Sequence, residues 1–96
     1  MPCTVIFELK EKPGNRGALC ELLEEFFPVT RGFDGCLSIE AFGNSDDDGV
    51  LCVEQWASRE HYNAYVAWRV ERGDIDRAVQ LCSEPPSVRF FDALPA

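Results

Sequence analysis

The chain is predicted to fold as an α+β domain, a four-stranded antiparallel sheet with its helices on one face. Three features carry that prediction. Four short runs alternate or concentrate apolar residues as strands do. Two longer runs repeat apolar residues every third or fourth position, as amphipathic helices do. Clusters of Pro, Gly, Asn and Asp separate the runs. Read in order they give strand-helix-strand-strand-helix-(helix)-strand, the split βαβ arrangement of ferredoxin-like βαββαβ folds.

Thr4 to Lys10 reads as the first strand, with Val5, Phe7 and Leu9 on one face and Ile6 on the other, since successive side chains point to opposite faces. Lys12-Pro13-Gly14-Asn15 is a turn, and Asn15 is placed to cap a helix. That helix carries Leu19, Leu22, Leu23 and Phe26 at helical spacing and turns Glu21, Glu24 and Glu25 away. Pro28 removes a backbone donor, so a kink or the end of regular helix is expected there, with a final turn reaching about Arg31. Gly32-Phe33-Asp34-Gly35 is a second turn. Cys36 to Phe42 is the second strand, setting Leu37, Ile39 and Ala41 against Ser38 and Glu40. The acidic loop Gly43 to Gly49 closes a long hairpin. Its three consecutive aspartates lack the ligand spacing and terminal Glu of a calcium loop and read as a solvated turn.

Val50 to Trp56 is the third and most apolar strand. Val50, Cys52, Glu54 and Trp56 share one face, and Leu51, Val53 and Gln55 the other. Ser58 caps the second helix, which begins at Arg59 and carries Tyr62, Tyr65, Val66 and Arg69 on one stripe. Gly73 is a left-handed C-cap candidate. Asp74 is placed to cap a short third helix with Ile75, Ala78, Val79 and Cys82 on its buried side, and Pro85-Pro86 stops it. Ser87 to Asp92 is the last strand, with Val88 and Phe90 facing one way and Phe91 the other.

Ninety-six residues make a single domain over 1–96, and a hydrophobic fraction of 46% is enough for a core. A net charge of −8 argues against nucleic acid and anionic membrane surfaces. No run is long enough to span a bilayer, and no basic-then-apolar leader opens the chain. Cys3, Cys20, Cys36, Cys52 and Cys82 are odd in number and contain no C-x-x-C, which suits neither a disulfide framework nor a zinc site. A reducing cytoplasm is the expected setting. The strands are apolar on both faces, yet helices cover only one. A second copy of the chain is therefore expected to cover the other, giving a homodimer with sheet facing sheet.

Candidate chemistry is sparse. His61, the sole histidine, lies in the first turn of the second helix and is a candidate general base. A lone histidine cannot build a multi-histidine metal site. Glu54 is the one carboxylate in an apolar strand face. Facing a cavity it would be a desolvated base; facing the dimer interface it would pair with Arg89. Trp56, Tyr65 and Trp68 are candidates to line an aromatic pocket, with Arg69 on the same helix. Arg69 and Arg72 form a loose basic pair that can attract an anion or simply face solvent.

Lys-Pro-Gly-Asn (12–15), Gly-Cys-Leu (35–37), the acidic hairpin, Glu-Gln-Trp-Ala-Ser-Arg-Glu (54–60) and Pro-Pro-Ser-Val-Arg-Phe-Phe (85–91) resemble the antibiotic biosynthesis monooxygenase domain. The resemblance spans about residues 4 to 92 and implies a dimeric α+β barrel with a pocket between sheet and helices in each subunit. It also implies oxidation of phenols, quinols or polyketide-like aromatics by dioxygen with no metal or flavin. The tryptophan–small residue–serine segment matches at Trp56, Ala57 and Ser58. Nine residues beyond that tryptophan, quinol-oxidising members have histidine and haem-degrading members tryptophan; here stands Tyr65. Haem degraders have a further histidine where this chain has Ile75, so haem ligation in their manner is not implied. Two functions are expected as alternatives: a cofactor-independent monooxygenase, or a non-catalytic dimer that binds a small molecule in the same cavity.

Overall fold

Seven elements form in the expected order in a computed structural model that describes residues 2–96: β1 (Cys3–Leu9), α1 (Arg16–Arg31), β2 (Cys36–Gly43), β3 (Val50–Trp56), α2 (Arg59–Glu71), α3 (Asp74–Gln80) and β4 (Ser87–Phe91). The sheet order is β2-β3-β1-β4, antiparallel throughout. Strand alternation and register together decide what each face carries. On the helix side, Ile39, Glu54, Val5 and Phe90 form one cross-strand row, and Ala41, Cys52, Phe7 and Val88 the next. The outer face carries Ile6, Leu51, Val53, Phe42 and Phe91 among Thr4, Glu8, Ser38, Glu40, Gln55 and Arg89.

The core falls into two clusters. Leu9, Leu19, Leu22, Phe26, Val50, Ala78 and Cys82 fill one end, under α1 and α3. Cys3, Val5, Trp56 and Tyr62 fill the other, under α2. All five cysteines are unpaired. No described helix is long and apolar enough to cross a membrane.

Several local expectations change in the folded chain. Asn15 stands at the N-cap of α1 but makes no capping bond; its Nδ2 donates to the Leu81 carbonyl at 3.1 Å and ties the start of α1 to the end of α3. Helix α1 runs through Pro28 and ends at Arg31, where the sequence placed its final turn. Beyond the proline the Thr30 hydroxyl donates to the Phe26 carbonyl at 3.0 Å, and Arg31 Nη2 reaches the Ile39 carbonyl at 3.1 Å, so side-chain bonds hold the last turn. In β2 a bulge between Cys36 and Ser38 takes Leu37 out of the alternation and leaves it 59% exposed. Gly73, in left-handed geometry (φ 79°), takes the N-cap of α3, and Asp74 sits inside the helix because two guanidinium groups claim its carboxylate.

The acidic hairpin is fastened as well as solvated. Buried Glu11 accepts from Arg16 Nε and from the Gly49 amide, while the Arg16 guanidinium donates to the carbonyls of Asn44, Asp47 and Gly49. Burial acts to raise the Glu11 pKa, but the Arg16 and backbone hydrogen bonds outweigh it and hold the carboxyl below its ordinary value of 4.5. Its contribution to stability is therefore present above 4.5 and is lost as pH falls through the lowered value. Arg16→Met is expected to cost about 2 kcal/mol at pH 7 by urea denaturation. A loss indistinguishable from zero would show that the loop closes without this clamp.

Candidate functional site

Between the two core clusters the packing leaves a cavity of about 140 Å³. Its floor is the helix face of the sheet, including Phe7, Cys52, Glu54 and Val88; α1, α2 and α3 close it with apolar side chains, and Val88, 41% exposed, marks the side where it meets the surface. The polar groups in this lining come from Glu54, Tyr62, Tyr65 and Arg69.

Glu54 is 2% exposed. Two residues on along the same strand face, Trp56 donates its Nε1–H to Glu54 Oε1 at 3.0 Å. Among the described residues no other hydrogen bond to this carboxyl forms, and no fully enclosed side-chain oxygen or nitrogen lacks a partner, so Oε2 is the oxygen left to meet the cavity. Burial lifts the Glu54 pKa from 4.5 to about 7, against the smaller lowering effect of the Trp56 bond. Arg89 lies on the opposite sheet face and reaches Glu8 at 3.4 Å, so the alternative pairing of Glu54 with Arg89 does not form within the subunit.

Tyr62 is 5% exposed, lines the same cavity and has no hydrogen-bond partner for its hydroxyl among the described residues. Burial, aided by the nearby Glu54 carboxylate, raises its pKa far above neutrality, so it remains a donor. Tyr62 was not among the site candidates read from the sequence. The available signal was its stripe: Tyr62 precedes Tyr65 by three and Arg69 by seven on one helix, the spacing of a shared face.

Tyr65 and Arg69 reach the cavity wall but are saturated. Arg69 donates Nε–H to the Tyr65 hydroxyl at 2.9 Å, Nη1–H to Asp74 Oδ2 at 2.8 Å, and Nη2–H to the Phe26 carbonyl and Thr30 Oγ1 at 3.0 and 3.2 Å. The Thr30 hydroxyl gives its proton to Phe26, so in the 2.7 Å contact the Tyr65 hydroxyl is the donor. This network joins all three helices. Arg69 is spent on it, and Arg72 bonds the same Asp74 oxygen at 3.1 Å, so the pair is not a free anion site.

Three other candidates lie elsewhere. Trp56 is fully buried beneath Glu54 and acts through its indole N–H rather than as a wall. Trp68 lies tilted against Phe33 (5.5 Å between centroids) and under Arg69 and Arg72, outside the cavity lining. His61 is outside the lining too. The Ser58 hydroxyl accepts from the His61 backbone N–H at 3.2 Å and lies 2.6 Å from Nδ1, which fixes the ring at the start of α2. The ring covers Gly35, where a Cβ would collide with it and where φ is +89°. Gly35→Ala is expected to cost about 3 kcal/mol by denaturant unfolding from clash and left-handed strain together. Adding His61→Ala should recover only the part of the clash made by the ring, because the His61 Cβ also meets the added methyl; no recovery would mean that the ring does not press on this turn.

No group of three or more His, Cys, Asp or Glu able to hold a metal ion occurs among the described residues.

The fold has close relatives among solved structures. The structure of Rv0793 from Mycobacterium tuberculosis superposes with a TM-score of 0.87 at 24% identity, over 100% of this chain and 98% of that one. A monooxygenase from the gene ActVA-Orf6 of Streptomyces coelicolor, in complex with the ligand nanaomycin D, gives 0.84 at 20% identity, over 98% and 88%. A conserved protein from Methanosarcina mazei Go1 gives 0.85 at 10% identity, over 95% and 91%. At such identities these likenesses establish the ferredoxin-like α+β fold. No curated protein sequence matches the chain significantly. The model of the antibiotic biosynthesis monooxygenase family matches residues 2–69, which carry the sheet's first three strands and the wall that holds Glu54, Tyr62, Tyr65 and Arg69. The chain belongs to the antibiotic biosynthesis monooxygenase family.

Proposed function

We propose that the protein is a cofactor-independent monooxygenase that oxidises a phenolic or quinol-type aromatic in the cavity between sheet and helices. The observation that carries this reading is Glu54: a buried carboxyl with one oxygen unbonded among the described residues, on a mostly apolar cavity, its pKa lifted to about 7. A base of that strength matches a phenol better than an ordinary carboxylate, because proton transfer is most efficient when donor and acceptor are closer in pKa. Glu54 takes the phenolic proton and Tyr62 donates to the phenolic oxygen. The apolar wall keeps water out while charge develops. For a phenol with a free para position, the phenolate passes electrons to dioxygen and a C–O bond forms at that carbon. The O–O bond then breaks as the C–H proton leaves, so phenol and dioxygen give quinone and water. Family membership and the ligand-bound monooxygenase from S. coelicolor support a small-molecule site here. His61 stands outside the cavity and has no part in this scheme.

The same reading includes a homodimer. Ile6, Leu51, Val53, Phe42 and Phe91 leave a partly apolar outer sheet face, with Phe42 53% and Phe91 48% exposed. Sedimentation should show a dimer at micromolar concentration, and a stable monomer would remove this part of the proposal.

The central test is oxygen consumption with a panel of phenols and quinols, with isotopically labelled dioxygen to trace oxygen into the product. Labelled quinone is expected. No uptake across the panel would leave a binding protein.

A further inference from the structure

Polarity changes in the same direction along the floor and the roof of the cavity. On the floor, Glu54 stands in the cross-strand row Ile39-Glu54-Val5-Phe90 and Val88 in the next row, Ala41-Cys52-Phe7-Val88. From β3 across β1 to β4, and two residues along, Glu54 and Val88 are about 12 Å apart at ordinary sheet dimensions. On the roof, Tyr62, Val66 and Val70 follow one another every fourth residue of α2, and Tyr62 to Val70 is again about 12 Å along the helix axis. The polar ends coincide, because Tyr62 meets Phe90, in the row of Glu54, edge to face at 5.6 Å. Val70 and Val88 are the exposed members of the lining, at 56% and 41%. The cavity therefore opens between α2 and β4, away from its polar end.

A phenolic ring held by its hydroxyl at Glu54 and Tyr62 ends well short of the two valines. The stretch left over runs along Phe7, Cys52 and Val66, which offer water no strong partner, while Tyr65 and Arg69 are occupied by each other and by Thr30, Phe26 and Asp74. Water in such a stretch is poorly held, and apolar surface that displaces it gains the full benefit of leaving water. We propose that the substrate ring carries an apolar substituent that runs along Phe7 and Val66 and leaves the protein between Val70 and Val88. The inference rests on the oxygenase reading for the phenolic head and goes beyond it in assigning the rest of the molecule. A substituent ortho or meta to the hydroxyl leaves the para carbon free for oxygen.

The test is a calorimetric titration of the full chain with phenol, 3-propylphenol and 3-pentylphenol, at a pH above 7 where Glu54 is ionised. Affinity should climb by up to about fourfold for each methylene taken into the protein, and by about thirtyfold or more from phenol to 3-pentylphenol. Val70→Asp sets a carboxylate beside the opening and should lower that ratio by roughly fivefold or more. Val88→Thr, which keeps the shape and adds a hydroxyl, should lower it in the same direction. Both sites are exposed, so the variants are expected to fold. A wild-type ratio near one would overturn the substituent. A ratio unchanged in both variants would overturn its exit between the valines. Failure of the oxygenase reading looks different: affinity climbs with chain length but no oxygen is consumed, and the route for the substituent stands. Oxygen uptake with the same kcat/KM on phenol as on 3-pentylphenol would sink the substituent and leave the oxygenase reading intact.

Discussion

Glu54→Gln is expected to lower oxygen uptake on phenols by roughly 10²–10⁴-fold, the usual contribution of a positioned general base. The amide keeps the shape, and its oxygen can still accept from Trp56 Nε1, so the cavity should remain formed. Wild-type kcat/KM should rise with pH through about 7 as Glu54 ionises, and the variant should lack that rise. Stability should move in the opposite direction. The folded-state pKa is raised from 4.5 to about 7, so the native state holds this proton more tightly than the unfolded chain does. That stabilisation is complete below 4.5 and disappears as pH rises through about 7, a change of about 3 kcal/mol. Relative to wild type, Glu54→Gln should therefore gain stability between pH 4.5 and 8. Urea titrations of both proteins across that range, run beside the uptake assay, separate catalysis from folding. A variant as active as wild type at pH 8 would end the role of Glu54 as base.

Arg69→Met should be among the most destabilising single changes in the chain, at about 3–5 kcal/mol. Methionine roughly keeps the packing volume but removes the guanidinium that bonds Asp74, Tyr65, Thr30 and the Phe26 carbonyl. Asp74 is 3% exposed and would keep Arg72 as its close partner. Leaving a buried carboxylate under-compensated costs more than the pair contributed. Burial acts to raise the Asp74 pKa, yet Arg69 and Arg72 hold it below its ordinary 3.8, so this contribution is present above 3.8 and fades as pH falls. A denaturant midpoint near that of wild type would show that the three helices are held by apolar packing alone. Asp74→Asn combined with Arg69→Met should cost less than the sum of the two single changes, because the partners act as one unit.

The elements were legible because their signals are local. Strand alternation from Val5 to Leu9 and from Val50 to Trp56, and the spacing of Leu19, Leu22 and Phe26, depend on residues a few positions apart. Expectations failed where a distant group intervened. Asn15 gave up its cap for the Leu81 carbonyl, and Asp74 gave up its own for Arg69 and Arg72. Helix α1 does reach Arg31, the final turn the sequence allowed beyond Pro28, and that turn is fastened by bonds to Tyr65, Arg69 and Ile39. Among the site residues, Glu54 stood out as the one charge in an apolar strand face. His61 stood out as the only histidine, yet its ring packs on Gly35 and lies outside the cavity lining.

What the sequence determined by itself was the order of the elements, the family, and how residues alternate between the faces of β1 and β3, because periodicity and short motifs encode those directly. Only the tertiary structure decided which polar groups remain unsatisfied. Arg69 and Tyr62 sit on one helix stripe and both reach the cavity, but Arg69 is consumed by partners on α1 and α3 while the Tyr62 hydroxyl finds none among the described residues. A side chain's spare hydrogen-bonding capacity depends on neighbours brought in from across the chain, and spacing along the sequence does not record it.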